Sequence, residues 1–172
     1  MILTNYFIKR KVRSLVNKGS KRDHCFRGMK EARTVLVMYD AKDQNIMEPC
    51  LETIRMMHKQ VKTFVYGTAE TEIDSDSSVS LCAKTDLDFW GFPKESVCNK
   101  LKAINADILI DLSKPFNYVS QYLMLLHPCD FKVGIKRNEQ DLYDLSISVT
   151  SRDDIKHLFG HILFYLQTIR SK

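Results

Sequence analysis

Residues 106–115, ADILIDLSKP, set the architecture of this chain. A nearly continuous run of apolar residues with high strand propensity, ending at Asp111, is typical of a strand buried on both faces. Pro115 suits the first turn of a following helix and favours an extended conformation at Lys114. Helices must cover both faces of such a strand, so the stretch predicts an α/β fold built on a parallel sheet.

Strands and helices alternate on both sides of this central strand. Upstream, a strand, a helix and a strand follow one another at the spacing of a βαβ unit, and a short edge strand of either direction comes next. The predicted strands are residues 33–39, 61–66, 79–83, 107–112, 131–135 and 145–149, and the predicted helices are residues 43–59, 95–104, 115–126 and 153–170. The expected fold class is a three-layer α/β fold with a mostly parallel, Rossmann-like sheet, helices on both faces and an added basic N-terminal helix.

The composition is that of an ordinary soluble domain. The chain has 172 residues, of which 44% are hydrophobic and 27% charged, and no apolar run approaches the roughly 18 residues of a membrane-spanning helix. The five cysteines are irregularly spaced and form no C-x-x-C pair, which argues against a disulfide framework or a zinc site and for a reducing compartment. We expect a single cytoplasmic domain at 33–172, preceded by a basic helix and linker at 1–32, with no cofactor.

Positive charge is concentrated at the beginning of the chain. Residues 1–33 contain ten Lys and Arg and two acids, whereas the remainder contains 16 Lys and Arg and 19 acids. Apolar residues at helical spacing within residues 8–16 predict an amphipathic helix whose other side carries Lys9, Arg10 and Arg13. This pattern is compatible with three roles. The cations could contact nucleic acid or another acidic partner, the helix could lie on a membrane surface, or the helix could dock on its own domain. We favour docking, because the apolar stripe is only two turns wide and lacks interleaved aromatic residues.

Polar residues at the carboxyl ends of two strands make a candidate ligand site. Asp40 and Asp111 each close a strand, and in open parallel sheets ligands bind beyond these ends. If the two strands are neighbours, the two acids face one crevice as a base or as a pair that binds a hydroxyl group. Ser113 and Lys114, just before the helix predicted at Pro115, form a candidate anion site. The alternative, which we favour, is that these side chains cap local turns, because no glycine-rich phosphate loop is present.

An aromatic-rich loop, DLDFWGFP at residues 86–93, supplies a further candidate. Trp90 has a ring that can stack on a base or a sugar, so we include it among the candidate ligand-binding residues. In the more common arrangement, which we favour, such a loop folds its aromatic side chains onto the core. His157 and His161 have the spacing of helical metal ligands but fall on the polar side of the last helix, so no metal site is expected there.

The chain resembles a bacterial protein family. The segments DLDFWGFPK and ADILIDLSKPFNYVSQYLMLLHPCDFKVGI look like an uncharacterised, mainly Bacteroidota family known only as a domain of unknown function, and the resemblance covers essentially the whole chain. A fainter likeness is to the N-terminal half of heptosyltransferase-type glycosyltransferases, in which an Asp-ended strand, a helix and an Arg/Lys-x-Gly strand recur in this order. Those enzymes bind the nucleotide-sugar donor mainly in a second Rossmann-like half, for which this chain has no room. The likeness therefore implies the fold and not the activity.

These patterns favour a non-catalytic binding or interaction protein, because the sequence contains no recognisable catalytic constellation or cofactor fingerprint. One alternative is a small nucleotide- or sugar-phosphate-binding, transferase-like enzyme with its site at Asp40, Asp111 and Ser113. A second alternative is nucleic-acid binding through residues 1–30. The partner is left open between another protein, a second copy of the chain and nucleic acid.

Overall fold

The computed structural model describes residues 2–19, 25–67, 77–136, 142–148 and 154–169, with side chains from residue 5 onward. Its helices are α1 (Ile2–Asn17), α2 (Gln44–Met56), α3 (Glu95–Ala103), α4 (Tyr118–Leu126) and α5 (Ile155–Thr168). Its strands are β1 (Thr34–Asp40), β2 (Gln60–Tyr66), β3 (Ser78–Leu81), β4 (Ile108–Asp111), β5 (Phe131–Ile135) and β6 (Leu145–Ile147). The predicted α/β fold is confirmed.

All strands in the described ranges are parallel, in the order β3-β2-β1-β4-β5-β6. The direction of β3, which the sequence left open, is therefore settled, and the sheet is parallel rather than mostly parallel. The chain adds strands outward from β1 to β3 and then returns to place β4 on the other side of β1. In this strand order, the crevice between the carboxyl ends of β1 and β4 is the topological switch point at which Rossmann-like sheets bind ligands.

Alternate residues of each central strand face two separate apolar layers. On one face, Val35 and Val37 of β1 pack with the inner sides of α2 and α5. On the other face, Leu36 and Met38 pack with α1, α3 and α4. Burial on both faces explains why the central strands read as continuous apolar runs rather than alternating ones. Within the described part of the chain, no helix has the length and apolarity needed to cross a membrane.

Helix α1 docks on the domain through a narrow apolar stripe, as expected from its sequence. Ile8 and Val12 are each only 1% exposed and belong to the layer formed with α3 and α4. The ammonium group of Lys9 lies 5.5 Å from the centre of the Tyr118 ring in α4, a cation–π contact. The remaining cations of α1 face outward, so docking leaves its charge available to a partner.

Two element boundaries differ from the predicted ones in an informative way. Helix α4 begins at Tyr118 rather than Pro115, because Asn117 accepts a hydrogen bond from the Ser120 backbone N–H at 3.1 Å and caps the helix. Asp154 caps α5 in the same way, accepting from the backbone N–H of His157 at 2.7 Å. Parts of three predicted segments lie outside the described residues, namely residues 1 and 20–24 of the N-terminal helix and linker, 149 of the last strand, and 153 and 170 of the last helix.

Asp107 fastens the amino ends of β1 and β4 at the edge opposite the switch point. Its Oδ2 accepts hydrogen bonds from the backbone N–H groups of Arg33 and Thr34, at 2.8 and 3.0 Å. Its Oδ1 lies 3.5 Å from the guanidinium group of Arg27. Burial alone would raise the pKa of Asp107, but these hydrogen bonds and the nearby positive charge together hold its pKa below the ordinary value.

Candidate functional site

A cleft of about 540 Å³ opens beyond the carboxyl ends of β1, β2 and β4. Its volume lies within the usual range of small-molecule sites, and its position is the switch point of the sheet. Helix α1 closes one side through Asn5. The residues that line it are Asn5, Asp40, Ala41, Lys42, Tyr66, Gly67, Lys114, Pro115, Phe116, Asn117, Tyr118 and Val119.

Asp40, the last residue of β1, is the acid that the described lining presents to this cleft. The residue is only 7% exposed. Its Oδ1 accepts a hydrogen bond from Asn117 Nδ2 at 3.2 Å, whereas its Oδ2 is buried and has no hydrogen-bond partner among the described residues. Burial raises the pKa of Asp40 above its ordinary value, and the hydrogen bond from Asn117 offsets that rise only in part.

Asn117 holds Asp40 and the start of α4 in one arrangement. Because its Oδ1 accepts from the Ser120 backbone N–H, its Nδ2 is directed to the Asp40 carboxylate. The amide orientation therefore follows from the hydrogen bonds on both sides. The sequence did not single out Asn117, because it fell inside a helix predicted to begin at Pro115. The signal that could have indicated it is the residue type itself, since asparagine is a preferred N-cap residue and Asn117 stands directly before the apolar helical stretch.

Replacing Asn117 with alanine should lower the free energy of unfolding by about 1 kcal/mol, since the helix loses its cap. Asn117→Ser is the matched variant, because serine caps a helix about as well as asparagine but cannot reach Asp40 with an amide. When both variants are measured by urea denaturation, the free energy of unfolding of Asn117→Ser should lie close to that of the wild type. Equal losses in the two variants would show that the contact to Asp40, not the cap, carries the stability.

Asp111, which closes β4, turns away from the cleft into the protein. The residue is fully buried, and its Oδ1 accepts from the backbone N–H and the hydroxyl group of Ser113, at 2.9 and 2.6 Å. Its Oδ2 accepts from the hydroxyl group of Tyr143 at 2.7 Å. Strands β1 and β4 are neighbours, as the crevice hypothesis required, yet of the two acids only Asp40 lines the cleft. The contacts of Asp111 and Ser113 are those of a local turn.

The rest of the cleft offers positive charge and aromatic surface. Lys42 and Lys114 are exposed at its rim, and the ring of Phe116 is exposed beside them. Tyr66 lies half-buried at the end of β2. Burial, together with the nearby Asp40 charge, raises the pKa of Tyr66, so its hydroxyl group keeps its proton at neutral pH. Of the candidate residues named from the sequence, the cleft brings together Asp40 and Lys114.

Trp90 lies on a different surface, against α1. Its ring centre is 5.0 Å from that of Phe7, in an edge-to-face arrangement. The expectation that the loop folds its rings onto the core was wrong for Phe89 and Trp90, which are 84% and 52% exposed, and right for Phe92, which packs on Tyr122. The loop is held by Asp88, whose Oδ1 accepts from the backbone N–H groups of Trp90 and Phe92. This local turn projects the first two rings outward.

None of the His and Cys side chains in the described ranges lines the cleft. The described residues contain no group of three His, Cys, Asp or Glu side chains arranged to hold a metal ion. His157 and His161 contact each other on the exposed side of α5, with 2.9 Å between their Nε2 atoms. The five cysteines are free thiols, and burial raises the pKa of Cys50 and Cys98, which makes both poor nucleophiles at neutral pH.

The strand order and the cleft at its switch point define a Rossmann-like α/β protein with a docked basic N-terminal helix. The chain belongs to the family of unknown function DUF6913, whose model matches residues 4–169. The resemblance to an uncharacterised family is thus confirmed, whereas the likeness to heptosyltransferase-type enzymes stays a prediction. No curated protein and no solved structure matches the chain significantly.

Proposed function

We propose that this protein binds a small phosphorylated, hydroxyl-bearing ligand, a nucleotide or a sugar phosphate, in the cleft at the switch point. The observation that carries the proposal is the unpaired Oδ2 of Asp40, buried at the end of β1. An unsatisfied buried polar atom is unfavourable by about 1–3 kcal/mol. If the Asp40 side chain turns this oxygen toward the cleft that the residue lines, a ligand hydroxyl group that donates to it would remove that penalty, so we place the anchor of the ligand at Asp40.

The surrounding side chains favour the other parts of such a ligand. Lys42 and Lys114 place two positive charges at the rim, where a phosphate group stays partly solvated. Phe116 offers an exposed ring face for a base or the apolar side of a sugar. The Asp40 charge would repel a phosphate, so the ligand is expected to bind with its hydroxyl groups inward and its phosphate at the lysines.

Binding without catalysis is the form of the proposal that we prefer. Among the described residues that line the cleft, Asp40 has no second acid beside it, so a paired acid and base is not provided. The second candidate is a transferase-like enzyme, favoured by the raised pKa of Asp40, which suits a general base acting on the hydroxyl group it binds. Incubation of the protein with a nucleotide sugar and an added hydroxyl-bearing acceptor separates the two, since only an enzyme would transfer the sugar to the acceptor and release the nucleotide.

Asp40→Asn should raise the free energy of unfolding at neutral pH by about 1 kcal/mol and abolish ligand binding. The raised pKa means that the folded state disfavours the ionised carboxylate, so a neutral isostere relieves the penalty while its oxygen still accepts from Asn117. Asp43→Asn is the matched control for binding, because it removes a negative charge from the adjacent turn without altering the lining of the cleft. Since the Asp43 charge also contributes to the raised pKa of Asp40, this variant should gain less stability than Asp40→Asn. Urea denaturation gives both stabilities.

The ligand can be identified from the thermal unfolding midpoint of the protein, measured in the presence of nucleotides, nucleotide sugars and sugar phosphates. A ligand present at 100 times its dissociation constant adds about 2.7 kcal/mol of stability. The expected result is a shift that occurs in the wild type and in Asp43→Asn and is lost in Asp40→Asn. A shift that persists in Asp40→Asn would place the ligand elsewhere, and silence across the panel would count against this ligand class.

A further inference from the structure

A second surface, distinct from the cleft, combines exposed rings with positive charge. Three ring contacts connect it, with centres 5.6 Å apart for Tyr6 and Phe7, 5.0 Å for Phe7 and Trp90, and 5.5 Å for Trp90 and Phe89. A groove of about 410 Å³ runs along it, in which Phe7 and Trp90 lie beside Arg10 and Lys11. We call this surface the platform; its residues are Tyr6, Phe7, Arg10, Lys11, Phe89 and Trp90.

The platform is assembled from two distant segments that are each fixed in place. Helix α1 is held by the burial of Ile8 and Val12. The loop that carries the other two rings is closed by an antiparallel bridge between Leu87 and Pro93 and by the turn around Asp88. The rings therefore stay exposed on a preorganised support, and little conformational freedom remains to be lost when a partner binds.

The charge of the platform has one sign along α1. That helix carries Lys9, Arg10, Lys11 and Arg13 and no acid. The nearest acid of the aromatic loop, Asp88, directs one carboxylate oxygen to two backbone N–H groups of its own turn. Exposed cations next to exposed rings match a partner that has negative charge along its backbone and flat groups beside it.

We propose that the platform binds single-stranded nucleic acid. Bases stack on the exposed rings of Phe89 and Trp90, and phosphates follow the cations of α1. A duplex fits less well, because its bases are already stacked on one another. A membrane surface is also disfavoured, because Ile8 and Val12, the buried aliphatic side chains of α1, face the protein core and are not presented to lipid chains.

Trp90 is the only tryptophan in the chain, so its fluorescence reports this surface directly. A short single-stranded DNA or RNA oligonucleotide should quench this emission saturably, and the anisotropy of the labelled oligonucleotide should rise in parallel. With three phosphate contacts, the logarithm of the binding constant should fall with the logarithm of salt concentration with a slope of about −2. A duplex of the same sequence should bind more weakly.

Paired variants separate stacking from charge. Trp90→Ala and Phe89→Ala should each weaken binding about five-fold or more in the anisotropy assay, whereas Phe164→Ala, which removes a ring that is 60% exposed on α5, should leave it unchanged. Lys11→Ala should weaken binding and flatten the salt slope by about 0.7, whereas Lys156→Ala on α5 should do neither. Since Phe89 is almost fully exposed, its replacement does not threaten the fold.

Three results would overturn the proposal. The first is the absence of quenching and of any rise in anisotropy. The second is equal affinity for duplex and single strand with no effect of either ring substitution, which would leave only non-specific charge attraction. The third is a blue shift of Trp90 emission with phosphatidylserine vesicles and no response to oligonucleotides, which would assign the platform to a membrane surface.

Discussion

Lowering the pH from 6.5 to 4 should reduce the free energy of unfolding by about 3 kcal/mol through His127 alone. His127 is buried between α4 and β5, and it was not among the residues singled out from the sequence. Its Nδ1 accepts a hydrogen bond from the Cys129 backbone N–H at 3.1 Å, so Nε2 carries the proton and donates to the Ile104 carbonyl oxygen at 2.9 Å. The bond from Cys129 requires the neutral ring, because a protonated Nδ1 cannot accept, whereas the bond to Ile104 is possible in both protonation states.

The direction of this pH dependence follows from where the proton binds. Burial, aided by the positive charge of Lys132, lowers the pKa of His127 to about 4, whereas an unfolded chain titrates near 6.5. Between these two values the unfolded state takes up a proton and the folded state does not. Stability is therefore complete above the unfolded pKa and decreases as the pH falls toward the folded one.

Urea denaturation of the wild type and of His127→Gln across this pH range provides the measurement. Glutamine keeps a donor for the Ile104 carbonyl but does not titrate, so its stability should change much less. Asp40 and Asp107, whose pKa values move in opposite directions, titrate in both proteins, and their effects cancel in the difference. Parallel pH profiles for the two proteins would contradict the assignment to His127.

Gly134→Ala should lower the free energy of unfolding by about 3 kcal/mol, through overpacking and through loss of a charged hydrogen bond. Gly134 lies in β5 beneath the ring of Tyr143, and an added methyl group would overlap that ring. Displacing the ring pulls the tyrosine hydroxyl group away from the buried Asp111 carboxylate.

A double-mutant cycle tests whether the ring is the cause. In a Tyr143→Ala background the ring is absent, so Gly134→Ala should cost less than about 1 kcal/mol when measured by urea denaturation. Tyr143→Phe supplies the matched control, since it removes the hydroxyl group and keeps the ring. A cost for Gly134→Ala that is the same in both backgrounds would place the strain in the strand itself rather than in the contact with Tyr143.

Local sequence patterns were sufficient to predict the fold class, because the alternation of buried strands and helices is a local property, whereas the strand order and the direction of β3 were left open. The apolar runs that end at Asp40 and Asp111 predicted buried parallel strands. The helices between the strands were predicted from apolar residues at helical spacing. The start of α4 was misplaced, because Pro115 fits the first turn of a helix as well as the turn that precedes one. That error concealed Asn117, and with it the partner of Asp40.

The geometry of the site depends on contacts that no local pattern contains. Asp40 and Asp111 occupy equivalent positions in the sequence, because each closes a strand. In the structure, however, Asp111 accepts a hydrogen bond from Tyr143 of a distant segment, whereas Asp40 lines the cleft. The exposure of Trp90 was missed for the same reason, since its neighbour Phe7 lies more than eighty positions earlier. The burial of His127 likewise depends on a distant partner, the Ile104 carbonyl oxygen, to which its ring donates.

Helix α1 contributes residues both to the cleft and to the platform. Asn5 lines the cleft, and Phe7, two positions later, contacts Trp90 on the platform. A ligand that displaced α1 at one of these surfaces would therefore also shift the residues that α1 contributes to the other. If a ligand in the cleft changes the affinity of the platform for its partner by some factor, thermodynamic linkage requires that partner to change the affinity of the cleft for its ligand by the same factor. Helix α1 therefore forms part of both surfaces and is not a mere appendage to the domain.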